Sequence, residues 1–257
     1  MERASGDARR RRIADHVMEH GTATGAALAR LTGVSLMTVH RDLDELERRG
    51  VLRRFRGGAS ALPSTVFEAG LDYRLGVNTA AKQAIARTAA KLVEPGMSVM
   101  LDDSTTVLAM ARLLVDMAPL TVVTNARRVV DVFADREGVR LIALGGEYSR
   151  THDSFLGVPC VEAIEALSVD LVAVSTSALD ARMAYHQEQD VVLVKRAMLA
   201  SSASRVMLMD RTKLARTALH RLAPVSDLGH LIVDEGAEPE LLAGLRERTR
   251  VTVAAGP

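Results

Sequence analysis

Apolar residues in the first 50 positions recur at helical spacing and divide that stretch into three amphipathic segments. The first segment ends at Gly21, and a second helix is predicted from about Thr24 to Gly33. Ser35 is a good N-cap for a third helix. Helices joined by so short a turn predict a helix-turn-helix. The apolar positions of the third helix form one stripe that is expected to face a core: Leu36, Val39, Leu43 and Leu46.

The opposite face of the third helix and the segment after it carry residues that suit DNA. After Gly50, the segment 51–58 has the pattern of a wing, with a short strand, a basic tip and a glycine turn. Arg54 and Arg56 are expected to reach DNA phosphates or the minor groove. For the helix alone, an ordinary solvated charged face is the alternative. The residues expected to enter a major groove are Ser35, Met37, Thr38, His40 and Arg41.

From residue 78 onward, short apolar runs alternate with helical stretches. This alternation predicts βαβ units and a mostly parallel sheet covered on both faces. The expected fold is therefore α/β with a small α+β domain at the start. We expect a winged helix-turn-helix over residues 1–60, a linker with at most one short helix over 61–77, and an α/β domain over 78–257. The six predicted strands are 98–101, 120–123, 139–144, 170–174, 205–209 and 230–233.

Polar and small residues follow three of these strands, where parallel sheets bind their ligands. Hydroxyls and unpaired backbone N–H groups at one helix start favour an anion, and glycines let a ligand approach the backbone. Each group alone also suits a helix cap, but three such strand ends in one sheet favour a binding site. The residues are Asp103, Ser104, Thr105 and Thr106, then Thr124 and Asn125, then Gly145 and Gly146.

Lysine is rare in this arginine-rich chain, which has only Lys82, Lys91, Lys195 and Lys213. A retained lysine suits a site that needs a compact, flexible point charge, as phosphate sites do. Lys213 follows a predicted strand directly, so a ligand role is favoured for it. Lys91 is interpreted as an ordinary surface residue.

The charge distribution and the cysteine content indicate what the chain binds and where in the cell it acts. Residues 1–60 carry 12 arginines and 8 acidic residues, a balance of +4, whereas the whole chain has a net charge of +1. The basic part is expected to meet a polyanion. Cys160 is the only cysteine and is interpreted as a packing residue. No stretch of 18 apolar residues occurs, so we expect no membrane segment and a cytoplasmic location.

Enzyme signatures are missing from the chain. It lacks a G-x-G-x-x-G fingerprint, a P-loop and a G-x-S-x-G elbow. His16 and His20 have no third metal ligand nearby, so we expect no metal and no cofactor. Two further functions fit the residues of the second domain. One is a sugar-phosphate isomerase or deaminase that uses Asp102, Asp103 and Lys213 as acid and base, and the other is a dimerisation scaffold that senses nothing.

These motifs resemble the DeoR family of transcription regulators. The resemblance begins with the run 35–43 and continues through Leu46, Gly50, Arg54 and the turn at 57–59. A second set of segments is similar to the family's sensor domain, which is related in fold to ribose-5-phosphate isomerase and the sugar-phosphate deaminases. These segments are 78–82, 102–106, 120–125, 145–146, 194–198 and 210–213.

The resemblance implies a repressor of sugar or carbohydrate metabolism genes that binds a double-stranded DNA operator as a homodimer or homotetramer. Its effector would be a phosphorylated sugar or a related metabolite, and the protein would not be an enzyme. By the same resemblance, phosphate would be contacted by Ser104, Thr105, Thr106 and Lys213, and the sugar hydroxyls would lie near Asp103, Asn125 and Lys82. The expected effector site also includes Thr124, Gly145, Gly146 and Lys195.

The chain departs from the family pattern at several of these positions. His40 and Ser104 stand where the family usually has arginine and glycine, and Ala126 stands where it has serine or threonine. Glycines typical of the family are missing from 175–178. Asp190 is the nearest candidate for an acidic residue usually found upstream of Lys195. These departures predict an altered operator sequence and an altered effector pocket.

Overall fold

The computed structural model of the chain describes residues 2–61 and 70–256. The chain divides into two compact units, Met1–Val77 and Asn78–Pro257. The first unit contains three long helical segments and a small sheet. Its elements are α1 (Glu2–His20), β1 (Thr22–Thr24), α2 (Gly25–Thr32), α3 (Leu36–Arg48), β2 (Leu52–Phe55), β3 (Gly58–Ala61) and α4 (Leu71–Gly76).

Local capping interactions fix the ends of the two helices that form the helix-turn-helix in the first unit. The Thr24 hydroxyl accepts a hydrogen bond from the Ala27 N–H at the start of α2. Gly33, with φ of 70°, ends that helix in the left-handed region. Ser35 then caps α3 through the Thr38 N–H. The predicted Ser35 cap and the stop at Gly33 are therefore confirmed, whereas the Thr24 cap was not predicted.

The wing is a three-stranded antiparallel sheet in the order β1-β3-β2. The sequence predicted β2 but missed β1 and β3. Thr22–Thr24 is too short to show a period, and β3 begins in the predicted glycine turn. The wing turn is tied to α2 by a 2.8 Å hydrogen bond from the Gly25 N–H to the Gly57 carbonyl. This bond fixes the turn against the helix-turn-helix.

One predicted core position is wrong. Val39, Leu43 and Leu46 are buried, but Leu36 is 48% exposed. Leu36 lies in the first turn of α3, and its Cδ1 lies beside the buried Gly25. The apolar stripe therefore begins one turn later than its spacing suggests. The buried apolar residues of this unit's core are Ile13, Ala14, Val17, Ala23, Leu28, Val39, Leu43, Leu46, Val51, Leu52 and Ala59.

The expected linker is partly structured. Within residues 61–77, Ala61 ends β3, and Tyr73 of α4 packs against the core of the first unit. The short helix allowed for in this segment is therefore present, and it belongs to the first unit. Pro63 and Ser64 lie outside the described residues.

The second unit is built on a seven-stranded parallel sheet. Its elements begin with α5 (Thr79–Ala90), β4 (Ser98–Leu101), α6 (Thr105–Ala111), β5 (Leu120–Thr124), α7 (Arg127–Phe133), β6 (Val139–Ala143), β7 (Glu147–Ser149) and β8 (Ser154–Leu156). They continue with α8 (Val158–Glu165), β9 (Val169–Val174), β10 (Ala178–Leu179), β11 (Met183–His186), α9 (Gln189–Ala200), β12 (Ser202–Met209), β13 (His220–Pro224), β14 (His230–Asp234), α10 (Pro239–Arg246) and β15 (Arg250–Ala254).

The strand order of this sheet is β15-β14-β12-β9-β4-β5-β6, and every neighbouring pair is parallel. All residues of β14 are buried, as expected for a parallel strand covered on both faces. All six predicted strands are present, within a few residues of their predicted bounds, so the α/β class is confirmed. The seventh strand, β15, was missed because its sequence RVTVA alternates and resembles an exposed segment.

Short antiparallel strands lie outside the parallel sheet, and the sequence did not predict them. β10, β11 and β13 form a small sheet of their own. β7 and β8 form a hairpin after β6. Strands of two to five residues carry too little pattern to be distinguished from loops.

Gly146, at the start of that hairpin, offers a test of the fold. Its φ is 145°, and an added Cβ would lie 2.3 Å from the Leu156 carbonyl oxygen. We expect Gly146→Ala to lower the free energy of unfolding by about 1–3 kcal/mol, measured by urea denaturation. Gly145→Ala is the matched control, because no atom lies within 4 Å of its added Cβ. Equal losses in the two variants would contradict the close approach.

Candidate DNA-binding surface and effector site

The N-terminal half of α3 presents an exposed face. Met37 is 65% exposed, and Arg41 is exposed as well. Ser35 and Thr38 share a hydrogen bond between their hydroxyls at 2.9 Å, so both also serve the cap of the helix. The backbone of this unit thus brings together the helix residues predicted for a major groove.

The acidic residues of α3 are paired inside the unit. Asp42 is buried and accepts from Arg9 at 2.6 Å and from Arg10 at 3.2 Å, which fastens α3 to α1. Glu45 pairs with Arg48 and Arg49 along the helix. Sequence reasoning missed the Asp42 pairs, because partners 32 and 33 residues apart leave no local pattern.

Unpaired arginines remain on the same surface. Arg41 on α3 and Arg56 at the wing tip are exposed and make no hydrogen bond or ion pair within the described residues. Arg54 differs, because its guanidinium lies against α3 and contacts Asp44 and His40. The surface therefore has a net positive charge that is available to a polyanion.

The carboxyl ends of the central strands gather the second group of predicted residues. Asp102 and Asp103 follow β4, Asn125 follows β5, and the segment 210–213 follows β12. Ser175 and Thr176 follow β9, which lies between β4 and β12 in the sheet. Parallel strands bring these ends to one edge, so residues far apart in sequence form one cluster.

Lys195 of α9 is the centre of this cluster. It is 3% exposed, and its Nζ donates to Asp102 and, at 2.9 Å, to Asp103. Burial acts to lower the pKa of Lys195, but the two carboxylates outweigh burial and raise it above its ordinary value. The lysine is therefore a fixed cation between two anions.

Asp102 is fully engaged by its surroundings. One carboxylate oxygen accepts the Ser104 N–H at 2.9 Å, and the other accepts the Ser175 N–H at 2.8 Å as well as Lys195. These contacts link the end of β4 to the end of β9. Asp102 thus holds the strand ends together.

Ser104, the departure from the family's glycine, has a structural role. Its hydroxyl accepts from the Val107 N–H at 3.2 Å and caps the seven-residue helix α6. Thr105 and Thr106 are buried, and their hydroxyls make no hydrogen bond within the described part of the chain. Of the three hydroxyls predicted to meet an anion, these two are the ones without a structural partner there.

The two predicted residues at the end of β5 have different roles. The Thr124 hydroxyl donates to the Leu101 carbonyl and accepts from the Ala126 N–H, so it supports the backbone. Asn125 is 1% exposed, and its Nδ2 donates to the Phe155 carbonyl at 2.9 Å. Its Oδ1 has no hydrogen-bond partner within the described residues. A buried acceptor in this state suits a hydroxyl donor from a ligand.

Lys213 and Lys82 lie at the β12 side of the cluster. Lys213 donates to the Thr176 carbonyl at 2.9 Å, which places it beside the end of β9. Burial acts to raise the pKa of Asp210, but Lys213, the Thr212 hydroxyl and Lys82 together hold it below its ordinary value. Both predicted lysines therefore lie near one carboxylate.

Three residues near Asp103 were missed. Ser154 donates to Asp103 at 2.9 Å, and His152 Nδ1 lies 3.9 Å from the same carboxylate. His152 Nε2 lies 3.0 Å from Glu188, the residue before α9. Asp190, proposed as the acidic residue near the site, is instead exposed in the first turn of α9. The β7–β8 hairpin brings His152 and Ser154 here, and the sequence contained no signal for that hairpin.

The remaining candidates are placed as follows. Gly145 has open space around it, whereas Gly146 packs against the hairpin. Cys160 is buried, and burial together with the nearby Asp103 raises its pKa to about 11. It is a packing residue. Among the described residues, no group of histidines, cysteines and carboxylates has the arrangement of a metal site. None of the described helices has the length and apolar composition needed to cross a bilayer.

A winged helix-turn-helix followed by a parallel sheet with a polar cluster at its strand ends defines the class of two-domain DNA-binding regulators. The family model of the DeoR-like helix-turn-helix domain matches residues 9–65, and that of the DeoR C-terminal sensor domain matches residues 77–235. The chain belongs to the DeoR family.

Relatives of known name extend over nearly the whole chain. One is a protein of Escherichia coli O157:H7 named for transcriptional repression of the aga operon, 31% identical over 93% of this chain and 90% of its own. Another is the HTH-type transcriptional repressor GlcR of Bacillus subtilis, 32% identical over 86% of each chain. A D-ribose-5-phosphate isomerase bound to phospho-erythronic acid matches 52% of this chain and 53% of its own at 13% identity and a TM-score of 0.39. A similarity of that size says nothing about a ligand.

The buried lysine gives a direct test of the cluster. Lys195→Met leaves two buried carboxylates without a counter-charge, so we expect a loss of about 3–5 kcal/mol of unfolding free energy at neutral pH, measured by urea denaturation. Because the pKa of Lys195 is raised in the folded state, its contribution is present throughout neutral pH and is lost only in alkaline solution. Lys91→Met, at an exposed lysine, is the control and should be near neutral. A similar small effect for both variants would show that the ion pairs contribute little.

Proposed function

We propose that the chain is a sequence-specific regulator, acting as a repressor of sugar or carbohydrate metabolism genes, whose affinity for its operator is set by a phosphorylated sugar or a related metabolite. The observation that carries this proposal is the joining of two features in one chain. One is the exposed face of α3 with Arg41, and the other is the polar cluster around Lys195. Two relatives at 31–32% identity are named for repression, which supports the sign of regulation, whereas others at 28–29% identity are named L-fucose operon activators.

For the DNA contact, we propose that α3 enters the major groove with Met37, Thr38, His40 and Arg41 toward the bases. Arg56 of the wing contacts phosphate. The pairing of Asp42 and Glu45 inside the unit favours this arrangement, because it removes negative charge that would repel DNA. A homodimer or homotetramer would place two copies of α3 roughly 34 Å apart, in successive major grooves.

For the effector, we propose that Thr105, Thr106 and Lys213 bind the phosphate, and that Asp103, Asn125 and Lys82 bind hydroxyl groups. The unpartnered Oδ1 of buried Asn125 supports a hydroxyl-bearing ligand. The ammonium groups of Lys213 and Lys82 supply the positive charge for an anion. Effector binding then shifts the population toward an arrangement that binds DNA less well.

An enzyme is the second candidate, because two carboxylates and a lysine meet at the strand ends. Lys195 is held protonated by its two carboxylate partners, so it does not serve as a general base. Asp102 already accepts three hydrogen bonds. These engagements favour binding without turnover, and incubation with sugar phosphates followed by product analysis distinguishes the two functions.

Arg41→Ala tests the DNA contact. We expect operator binding, measured by fluorescence anisotropy at fixed salt on the protein's own upstream region, to weaken by about 1–3 kcal/mol. The fold should be unchanged in circular dichroism, since Arg41 is exposed and makes no hydrogen bond or ion pair within the described residues. Arg248→Ala, which removes an exposed arginine of the second unit, is the control. Unchanged operator affinity in Arg41→Ala would remove α3 from the interface.

The effector assignment is tested by the double variant Thr105→Val with Lys213→Met. We expect it to bind the operator as the wild type does but to lose its response to a panel of sugar phosphates, because two of the three proposed phosphate contacts are gone. Anisotropy with and without each compound is the measurement. A response that persists at the same effector concentration would place the pocket elsewhere in the unit.

A further inference from the structure

The recognition helix carries an acidic residue on the side that faces the wing. Asp44 lies one turn after His40 on α3, and its side chain is 60% exposed. A carboxylate at this place would repel the phosphates of any DNA that α3 approaches. Its effect on binding depends on what neutralises it.

Arg54 of the wing makes that contact. Its guanidinium pairs with the Asp44 carboxylate, and its Nη2 atom lies 3.1 Å from His40 Nδ1. The backbone N–H of Arg54 also donates to Glu47 at 2.7 Å, so the strand itself is fixed to α3. The side chain is only 29% exposed. Arg54 thus extends along the helix rather than outward from the wing.

The contact with Arg54 favours one tautomer of His40. A guanidinium only donates, so the contact is a hydrogen bond when His40 Nδ1 accepts. In that form the ring carries its proton on Nε2. In that form Nε2–H is a donor, which suits the acceptors that guanine and thymine present in the major groove.

Arg56 provides a contrast two residues further along. It is exposed and makes no hydrogen bond or ion pair within the described part of the chain. The two arginines have the same charge and lie on the same wing, but only Arg56 is free to meet a phosphate. They therefore form a natural matched pair for an experiment.

We propose that Arg54 is a positioning residue for operator recognition, which neutralises Asp44 and holds His40 as an Nε2–H donor to a base edge. This inference rests on the proposed function as a DNA-binding regulator. It assigns Arg54 a role that differs from the phosphate contact expected for a wing arginine. Two separate effects follow, one on charge at Asp44 and one on base discrimination at His40.

The experiment measures the affinity of the full chain for operator and for scrambled DNA by anisotropy across a series of KCl concentrations. The variants are Arg54→Met, the double variant Arg54→Met with Asp44→Asn, and Arg56→Met as the matched control. Arg54→Met should bind both DNAs more weakly, and its preference for the operator should fall about tenfold. The double variant should recover wild-type affinity for scrambled DNA and the wild-type salt slope, while its operator preference stays low.

Arg56→Met should behave differently, with a salt slope reduced by about 0.9 and an unchanged operator preference. If Arg54→Met and the double variant both reproduce the Arg56→Met result, Arg54 is a phosphate contact and the proposal is overturned. Wild-type protein that shows no preference for the operator would overturn the proposed function, and this inference with it. The two failures are therefore distinguishable.

A spectroscopic measurement tests the histidine directly. A long-range proton–nitrogen NMR spectrum of the wild type should show His40 with its proton on Nε2, and Arg54→Met should show a mixture of tautomers. An Nδ1-protonated ring in the wild type would contradict the proposal. Arg54→Lys should restore the neutralisation of Asp44 without the forked contact to both partners, so the tautomer mixture should persist in that variant.

Discussion

A lysine buried between two aspartates joins the separate parts of the sensor unit. Lys195 belongs to α9, whereas Asp102 and Asp103 follow β4, and Asp102 also accepts the backbone N–H of Ser175 after β9. Removing these charges from water is costly unless each one is paired and hydrogen-bonded. The same constraint therefore fixes the helix, fixes the ends of two central strands and creates the polar cluster at which we propose that a ligand binds.

Charge pairing also shapes the DNA-binding unit, at the surface rather than in the interior. Every acidic residue of α3 has a partner on another element or on the same helix, including the buried Asp42 with Arg9 and Arg10. The exposed ion pairs contribute little to the stability of the fold. Their main effect is on the charge that this surface presents to DNA. Although α3 carries four acidic residues and two arginines, its outer face is basic because the negative charges are engaged by other groups.

The sequence predicts the helix-turn-helix and the parallel sheet well, because both depend on local periodicity. The stripe of Val39, Leu43 and Leu46 and the six apolar runs carry that information within single elements. The pairing of Lys195 with Asp102 and Asp103 does not follow from local pattern, since the partners lie more than 90 residues apart. The same holds for Asp42 with Arg9, and for His152, which reaches the site on a hairpin of three-residue strands.

Residue type also left open what each polar group does. Ser104 and Thr124 were both expected to meet a ligand, but their hydroxyls bond the backbone. Asn125 is also a polar residue at the end of a strand, but its Oδ1 accepts no hydrogen bond within the described residues. Only the positions of neighbouring carbonyls and N–H groups distinguish a cap from a ligand contact, and those positions come from the folded chain.

The central claim is that ligand binding in one unit and DNA binding in the other are energetically coupled. Coupling of this kind is reciprocal, so the most direct measurement is the effector's Kd for the free protein and for the operator-bound protein, by calorimetry. The account predicts weaker effector binding to the complex, by the same factor by which the effector weakens operator binding. Equal effector affinity for the two forms would contradict it.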